Sequence, residues 1–414
     1  MKILFATSSF NGGGITSYAY EVINNYSLKN EMYVLIGDDK KMPITKKGVT
    51  VLRCENSDVS VENAKKALHI INDEIKPDVI ISSNSRIMAF IAPYILDSIK
   101  LITVSHSQKY IETDTAAFNS RYIDSIVALS NFNKKYIDRR FHIRDNNKTA
   151  VVYNFVKELD NANVFIERKK KQKPINIVFM GGSSGSKSPD ITFQIMMGLA
   201  KTDLSFKMYW LGSNLLTLGK LLPFQHVSSF FEGDTRFVFT GRVPREEALD
   251  ICARANILLI PSRREGCPMA MLETMRSGVI SITSDYKNAC QELVLNNQTG
   301  KIISHNDILG FVKAITDIIA NPSRYDSYYD ASYNYFISNL SFSRWKERMD
   351  AIINKKTSDH YRRKSSFSLI KFKRDLFVFS LLDFQNRMDK MVNERIRVLI
   401  PFVREFYKNR RNKK

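Results

Sequence analysis

Two doubly wound α/β domains in tandem, followed by a basic helical tail, are what this sequence predicts. Three observations carry that expectation. Short strand-like apolar runs alternate with helix-period stretches along most of the chain, the pattern of a parallel sheet with helices on both faces. The alternation pauses at a charge run ending in Pro174, then restarts with a fresh strand and a glycine-rich loop. At 414 residues, 44% apolar and 25% charged, the chain is too long for one typical core and suits two.

In order, Lys2–Thr7 reads as a strand, residues 8–14 as a turn-rich loop, and Tyr18, Ala19, Val22, Ile23 and Tyr26 recur at helical spacing. Strands follow at Met32–Ile36, Val79–Ile81, Leu101–Val104, Ser125–Ala128 and Ala150–Tyr153, completing a first domain over residues 1–165. The run Glu167-Arg-Lys-Lys-Lys-Gln-Lys-Pro174 is expected to be a linker. A second domain, 174–340, starts with the strand Ile175–Met180, the loop Gly181–Lys187 and a helix opened by Ser188-Pro189-Asp190. Phe206–Leu211, Arg236–Thr240, Ile257–Ile260 and Val279–Ile282 supply its later strands. Residues 357–414 form a tail rich in Phe, Leu and basic side chains.

The net charge of +20 is unevenly placed: from Lys355 onward there are eighteen Lys/Arg against six Asp/Glu, which gives +12. That basicity belongs to the tail and its partner rather than to the fold. No recognition-helix, zinc-finger or RNP pattern accompanies it, so nucleic acid is not the expected partner. Cys54, Cys252, Cys267 and Cys290 show no metal or disulfide spacing, and the six histidines share no ligand spacing. The start of the chain lacks the pattern of a signal peptide. The longest apolar candidate, Ile87–Val104, is broken by Pro93, Asp97 and Lys100. A cytoplasmic protein is the expectation, its tail either lying on the inner face of the cell membrane or packing as helices on the core.

The most informative stretch is P-S-R-R-E-G-C-P-M-A-M-L-E-T-M-R-S-G, Pro261–Gly278. It follows a buried strand, so Glu265 falls in the loop at the strand's carboxyl end and Glu273 on the next helix, with Pro268 just inside its first turn. In an open α/β sheet ligands bind there. The main-chain N–H groups of Gly266, Cys267, Met269 and Ala270 then offer an anion site. A nucleotide sugar satisfies both parts, its diphosphate meeting the N–H groups and its hydroxyls the carboxylates.

This pattern resembles the retaining glycosyltransferases of family 4, whose donor-side signature is two glutamates separated by seven residues within P-S-x-x-E-G-x-P-x-x-x-L-E-x-M-x-x-G. The resemblance covers about residues 1–350 and implies the GT-B arrangement, two Rossmann-like domains with the substrate cleft between them. It places Glu265 on the donor sugar and Glu273 on the ribose. Gly181–Asp190 matches the family's G-R-x-x-x-x-K-G-x-D, with Lys187 at the diphosphate-binding lysine and Gly182 where the arginine usually stands. Arg263 or Arg264 is a candidate to replace that missing cation. The loop Asn11–Ser17, with Gly13 and Gly14, is the acceptor-domain glycine loop that reaches the donor phosphate. As a dinucleotide fingerprint, with Asp38 downstream, it lacks the third glycine.

His106 ends a strand where the family often places a histidine near the reacting face, and a histidine suits proton or hydroxyl handling near neutral pH. Ser130 and Asn154 match positions near the cleft and before the hinge, Arg242 and Val243 the segment touching the base, and Phe342–Ile352 a closing helix within 341–356. The implied activity is a hexosyltransferase-type transfer, with retention, from a nucleotide diphosphate sugar to a saccharide acceptor, lipid-linked, in bacterial surface-polysaccharide assembly. No cofactor or metal is expected. The competing readings are an NAD-dependent oxidoreductase or nucleotide-sugar epimerase on a similar scaffold, and a non-catalytic basic membrane-binding protein.

Overall fold

Strand β1 (Lys2–Thr7) lies at the middle of a parallel sheet because its residues are buried on both faces, as the centre of a doubly wound sheet requires. In this computed structural model, residues 1–8, 10, 14–37, 48–53, 59–106, 110–145, 147–182, 185–213, 230–231, 233–286, 289–355, 366–385 and 387–388 are described. The first sheet adds β2 (Glu31–Ile36), β3 (Val49–Arg53), β4 (Val79–Ser83), β5 (Lys100–Ser105), β6 (Ser125–Ala128) and β7 (Thr149–Val151), ordered β3-β2-β1-β4-β5-β6-β7. Helices α1 (Gly14–Tyr26), α2 (Val61–His69), α3 (Arg86–Ile91), α4 (Tyr110–Ala117) and α5 (Asn131–Arg140) alternate with its strands.

After α6 (Ala162–Lys171), the second sheet comprises β8 (Ile175–Met180), β9 (Phe206–Leu211), β10 (Phe237–Gly241), β11 (Ile257–Ile260), β12 (Ile280–Ser284) and β13 (Gly300–Ile303). Its order is β10-β9-β8-β11-β12-β13, parallel throughout. Around it lie α7 (Pro189–Ala200), α8 (Arg245–Arg254), α9 (Met269–Met275), α10 (Ala289–Leu293), α11 (Ile308–Ala320) and α12 (Asp326–Asn339). Strand order reverses between β1 and β4 in one sheet and between β8 and β11 in the other, which opens a crevice beyond the carboxyl ends of those strands. The expected fold class, two Rossmann-like α/β units, is the observed one.

Helix α13 (Phe342–Asn354) crosses back to the first sheet. Trp345 stacks on Phe155 at 4.2 Å between ring centroids and meets Tyr26 edge-on at 5.6 Å. The Tyr26 hydroxyl donates to Asp350 at 2.9 Å. One apolar cluster thus joins residues of both halves to this closing helix.

The charge run expected as a linker is helical instead. In α6, Ile166 and Lys169 are buried at 2% exposure each. The Lys169 ammonium donates to the carbonyls of Ala253 and Ser277 at 2.5 and 2.8 Å. Composition misleads here because one of the lysines faces inward and satisfies main-chain acceptors, while its neighbours stay in water.

Of the two readings of the tail, packing on the core holds for its first helix. Residues 369–385 form a helix, α14, and its Phe372 and Phe379 are buried in the apolar layer of the first domain. Met391, Val392, Ile396 and Leu399 lie outside the described residues. Among the described residues, no helix is long and apolar enough to cross a membrane.

Candidate active site

Each crevice delivers its loops to one shared space. The chain leaves β8 through Gly181 and Gly182, and it leaves β11 through residues 261–268 into α9. Glycine is required at 212, after β9, because φ there is +108° and an added Cβ would meet the Gly181 carbonyl oxygen at 3.3 Å. Pro268 precedes α9 in an extended conformation (φ −70°, ψ 117°) instead of sitting inside its first turn.

The result is a cavity of about 690 Å³ between the two sheets, large enough for a nucleotide-sized ligand. The second domain contributes Lys187, Arg242, Val243, Glu265, Gly266, Cys267, Met269, Ala270 and Glu273 to its lining. The first contributes Gly14, His106 and, at the hinge, Asn154. Gly13 and Asp38 lie outside the described residues.

The carboxylates are already engaged by cations. Lys187 Nζ lies 2.7 Å from Glu265 Oε1, with side chains 30% and 9% exposed. Glu273, 4% exposed, pairs with Arg245 Nη2 at 2.9 Å, and Arg245 Nη1 donates across the cleft to Ser17 Oγ at 3.2 Å. Arg245 was not singled out by the sequence, because its pairing with a carboxylate 28 positions away exists only in the fold. The loop bearing Lys187 is stitched to the loop bearing Glu265: Arg263 N–H donates to the Ser186 carbonyl at 2.8 Å.

The structure separates the two candidate replacements for the missing arginine. Arg263 is committed to Asp190 through two hydrogen bonds of 2.9 and 2.7 Å. Arg264 is exposed and lines the cavity, and among the described residues it makes no ion pair. Among the described residues, an added Cβ at Gly182 would meet only Ser213 Oγ, at 3.9 Å, which leaves room there for a side chain.

His106 is 7% exposed, and its Nε2 lies 2.7 Å from Ser83 Oγ while Tyr18 packs edge-on at 4.9 Å. Burial pushes its imidazole down to about 4. The ring therefore stays neutral through the neutral range and is held as a hydrogen-bonding group. Cys267 is no nucleophile: burial pushes its thiol up to about 12. Asn154 joins the hinge to the loop before α9, its amide donating to the Cys267 carbonyl at 2.9 Å.

Ser130 does not reach the cavity. It is fully buried as the N-cap of α5, accepting from Asn133 N–H at 3.0 Å, so its hydroxyl is spent inside the first domain. Its neighbours do face the second domain. Glu292 accepts from the N–H groups of Asn131 and Phe132 at 2.7 and 2.8 Å and from the Tyr153 hydroxyl at 3.0 Å. Glu112, on α4, adds a carboxylate to the cavity from the first-domain side. Among the described residues, no group of three or more His, Cys, Asp or Glu is placed to hold a metal ion.

Residues 160–335 match the family model described as Glycosyl transferases group 1. The chain is 21% identical to the lipopolysaccharide 1,6-galactosyltransferase of Escherichia coli K12 over 367 residues, 80% of this chain and 96% of that protein. It is 26% identical over 125 residues to the lipopolysaccharide core biosynthesis mannosyltransferase LpcC of Rhizobium leguminosarum bv. viciae. That match covers 30% of this chain and about a third (35%) of the relative's length. The solved structure of Anabaena Alr3699/HepE in complex with UDP shares the fold, with a TM-score of 0.69 at 14% identity over 84% of this chain and 98% of that one. The likeness to the glycosyl transferases of group 1 thus lies in residues 160–335, and the two Rossmann-like domains share the GT-B fold of the solved structure.

Proposed function

We propose that the chain transfers a sugar from a nucleotide diphosphate sugar to a saccharide acceptor with retention at the anomeric carbon, in surface-polysaccharide or lipopolysaccharide assembly. The observation that carries the reading is the convergence of Lys187, Arg264, Glu265 and Glu273 on one interdomain cavity. Cations suit a diphosphate and carboxylates suit hydroxyls, and a nucleotide sugar presents both. Support comes also from the relatives: HepE was solved with UDP and with UDP-glucose, and the two curated relatives are named for lipopolysaccharide.

In this reading Glu265 orients the donor sugar hydroxyls, Glu273 the ribose, and Arg242 and Val243 flank the base. Lys187 and Arg264 meet the diphosphate. Lys187 and Arg245 rest on the two glutamates until the donor arrives, and partner exchange then brings charge onto the departing phosphate. Fixed cations and main-chain N–H groups stabilise that leaving group without reorganising solvent. His106 supplies a neutral hydrogen bond at the first-domain wall, where the acceptor saccharide, carried on a lipid, enters. Leaving-group charge is met by the protein, without a metal ion.

The experiment is a screen of UDP-, GDP- and ADP-sugars by calorimetry, followed by turnover with the donor that binds and NMR of the product anomer. Binding of no nucleotide sugar overturns the reading, and an inverted product overturns its stereochemical part. Turnover abolished by EDTA and restored by Mg²⁺ or Mn²⁺ would contradict the protein-only account of leaving-group charge.

A further inference from the structure

Helix α14 (369–385) has two unlike faces. The inner one is fixed to the first domain. Phe372 and Phe379 lie 6.1 and 5.2 Å from Phe90, Phe379 meets Phe118 at 5.3 Å, and the Tyr94 hydroxyl donates to the Ser368 carbonyl at 3.2 Å. Among the described residues, nothing covers the outer face. Ile370, Phe377, Leu381 and Phe384 are 84%, 65%, 50% and 63% exposed. At 3.6 residues per turn these four fall on one stripe, about half a turn from Phe372 and Phe379. A helix of a water-facing surface carries one apolar stripe turned inward. This one carries a second, turned out, and a contiguous exposed apolar patch marks an interaction surface.

Cations border the stripe. Lys373 and Arg374 are exposed beside it, and Arg387 extends the basic edge. Where α14 meets the first domain there is a groove of about 720 Å³, lined by Arg121, Lys371 and Arg374 with the apolar Ile370 and Val378 alongside. From Lys355 onward the chain carries eighteen Lys/Arg against six Asp/Glu. Two copies meeting through this face would bring two such basic segments together, which like-charge repulsion opposes. An apolar stripe rimmed by cations is complementary instead to a layer of hydrocarbon beneath anionic headgroups.

We propose that the outer face of α14 docks the protein on an anionic lipid bilayer. Ile370, Phe377, Leu381 and Phe384 enter the acyl boundary while Lys373 and Arg374 sit at the phosphates. The placement serves the cleft. Glu112 lines the cavity, and Phe118, which packs on Phe379, follows six residues later in sequence, roughly 9 Å along a helix axis. A saccharide held at the bilayer surface is then presented to the first-domain side of the site. The inference rests on the helix faces and is independent of which sugar is transferred.

The test is flotation of the full chain with vesicles of phosphatidylcholine, with and without phosphatidylglycerol, in the absence of any donor. Wild type should float with the anionic vesicles and far less with the neutral ones. The triple change Phe377→Ser, Leu381→Ser, Phe384→Ser should lower binding by roughly tenfold or more. Lys373→Glu with Arg374→Glu should lower it by at least about fivefold, salt reproducing only this electrostatic part. Ile370→Ser alone, at the most exposed position, keeps the test readable if the triple change disturbs the helix. Circular dichroism melts and nucleotide-sugar calorimetry should be unchanged in all three. Wild-type flotation by both the triple variant and Ile370→Ser overturns the proposal, since the basic segment alone would then account for binding. A dimer in light scattering that the triple change splits overturns it in favour of a second copy.

Discussion

The two walls of the cleft differ in kind. The second-domain wall carries Lys187, Arg242, Arg245, Arg264, Glu265 and Glu273, whereas the first-domain wall presents Gly14, Ile15, Ser17, neutral His106 and, among its described residues, one carboxylate, Glu112. Charge is thus concentrated on the side whose loops follow β8 and β11. On the proposed function a charged donor would gain its binding energy there, with the opposite wall left to shape and hydrogen bonding. The division is physical economy: cations and carboxylates held in mutual pairs avoid the cost of lone buried charge, and they are already in place when a ligand exchanges with them.

The largest expected effect tests whether the charged wall dominates turnover. Glu265→Ala should cut kcat/KM by roughly 100-fold or more, because donor orientation is lost. Its melting temperature should stay near that of wild type, since the orphaned Lys187 is 30% exposed and can hydrate. The matching change on the other wall, Glu112→Ala, should cost less; a larger loss there would invert the comparison.

Donor affinity comes next. Lys187→Ala should weaken nucleotide-sugar binding by roughly tenfold in calorimetry, with Lys187→Arg much closer to wild type. Equal affinity for all three proteins would move the phosphate contact elsewhere on the wall.

A smaller, sharper effect separates the neighbouring arginines. Arg264→Ala should weaken donor binding by about fivefold, and Gly182→Arg in that background should restore it, since among the described residues only Ser213 Oγ comes near an added Cβ at Gly182. Arg263→Ala should leave affinity alone and lower stability by about 0.5–1 kcal/mol, the usual worth of a half-exposed ion pair. Loss of affinity on Arg263→Ala with none on Arg264→Ala would reverse the assignment.

The least effect at neutral pH concerns the neutral wall. The His106 imidazole is pushed by burial down to about 4, below its value in an unfolded chain, about 6.5. Between those values the unfolded chain binds a proton that the folded one refuses, so stability falls as pH drops from about 6.5 toward about 4. His106→Gln should flatten that part of a melting-temperature profile, and an unchanged slope would assign the acid sensitivity to other groups. Above pH 6.5 the two profiles should run parallel.

What could be read from the chain was local. Glu265, Lys187 and the loops after β8 and β11 are set by strand–loop–helix signals a few residues long, and parallel topology then forces those loops to one edge. What could not be read was tertiary. Arg245 on Glu273, Glu292 on the start of α5, and Ser130 turned inward as a cap all depend on partners remote in sequence or on the facing of one turn. The tail divides the same way: its basic and aromatic content was plain, while the burial of Phe372 and Phe379 required knowing that Phe90 and Phe118 leave room for them.

The inward lysine of α6 decides how this protein can be cut. An excised second domain begun at Pro174 would lack Lys169 and leave the carbonyls of Ala253 and Ser277 without their donor. It would also strip Ile166 from the layer it shares with Tyr329 and bare apolar surface that invites aggregation. Begun at 160, where the family match also begins, the fragment keeps its own fastening. The helix that joins the two halves in sequence is, in ownership, the first element of the second.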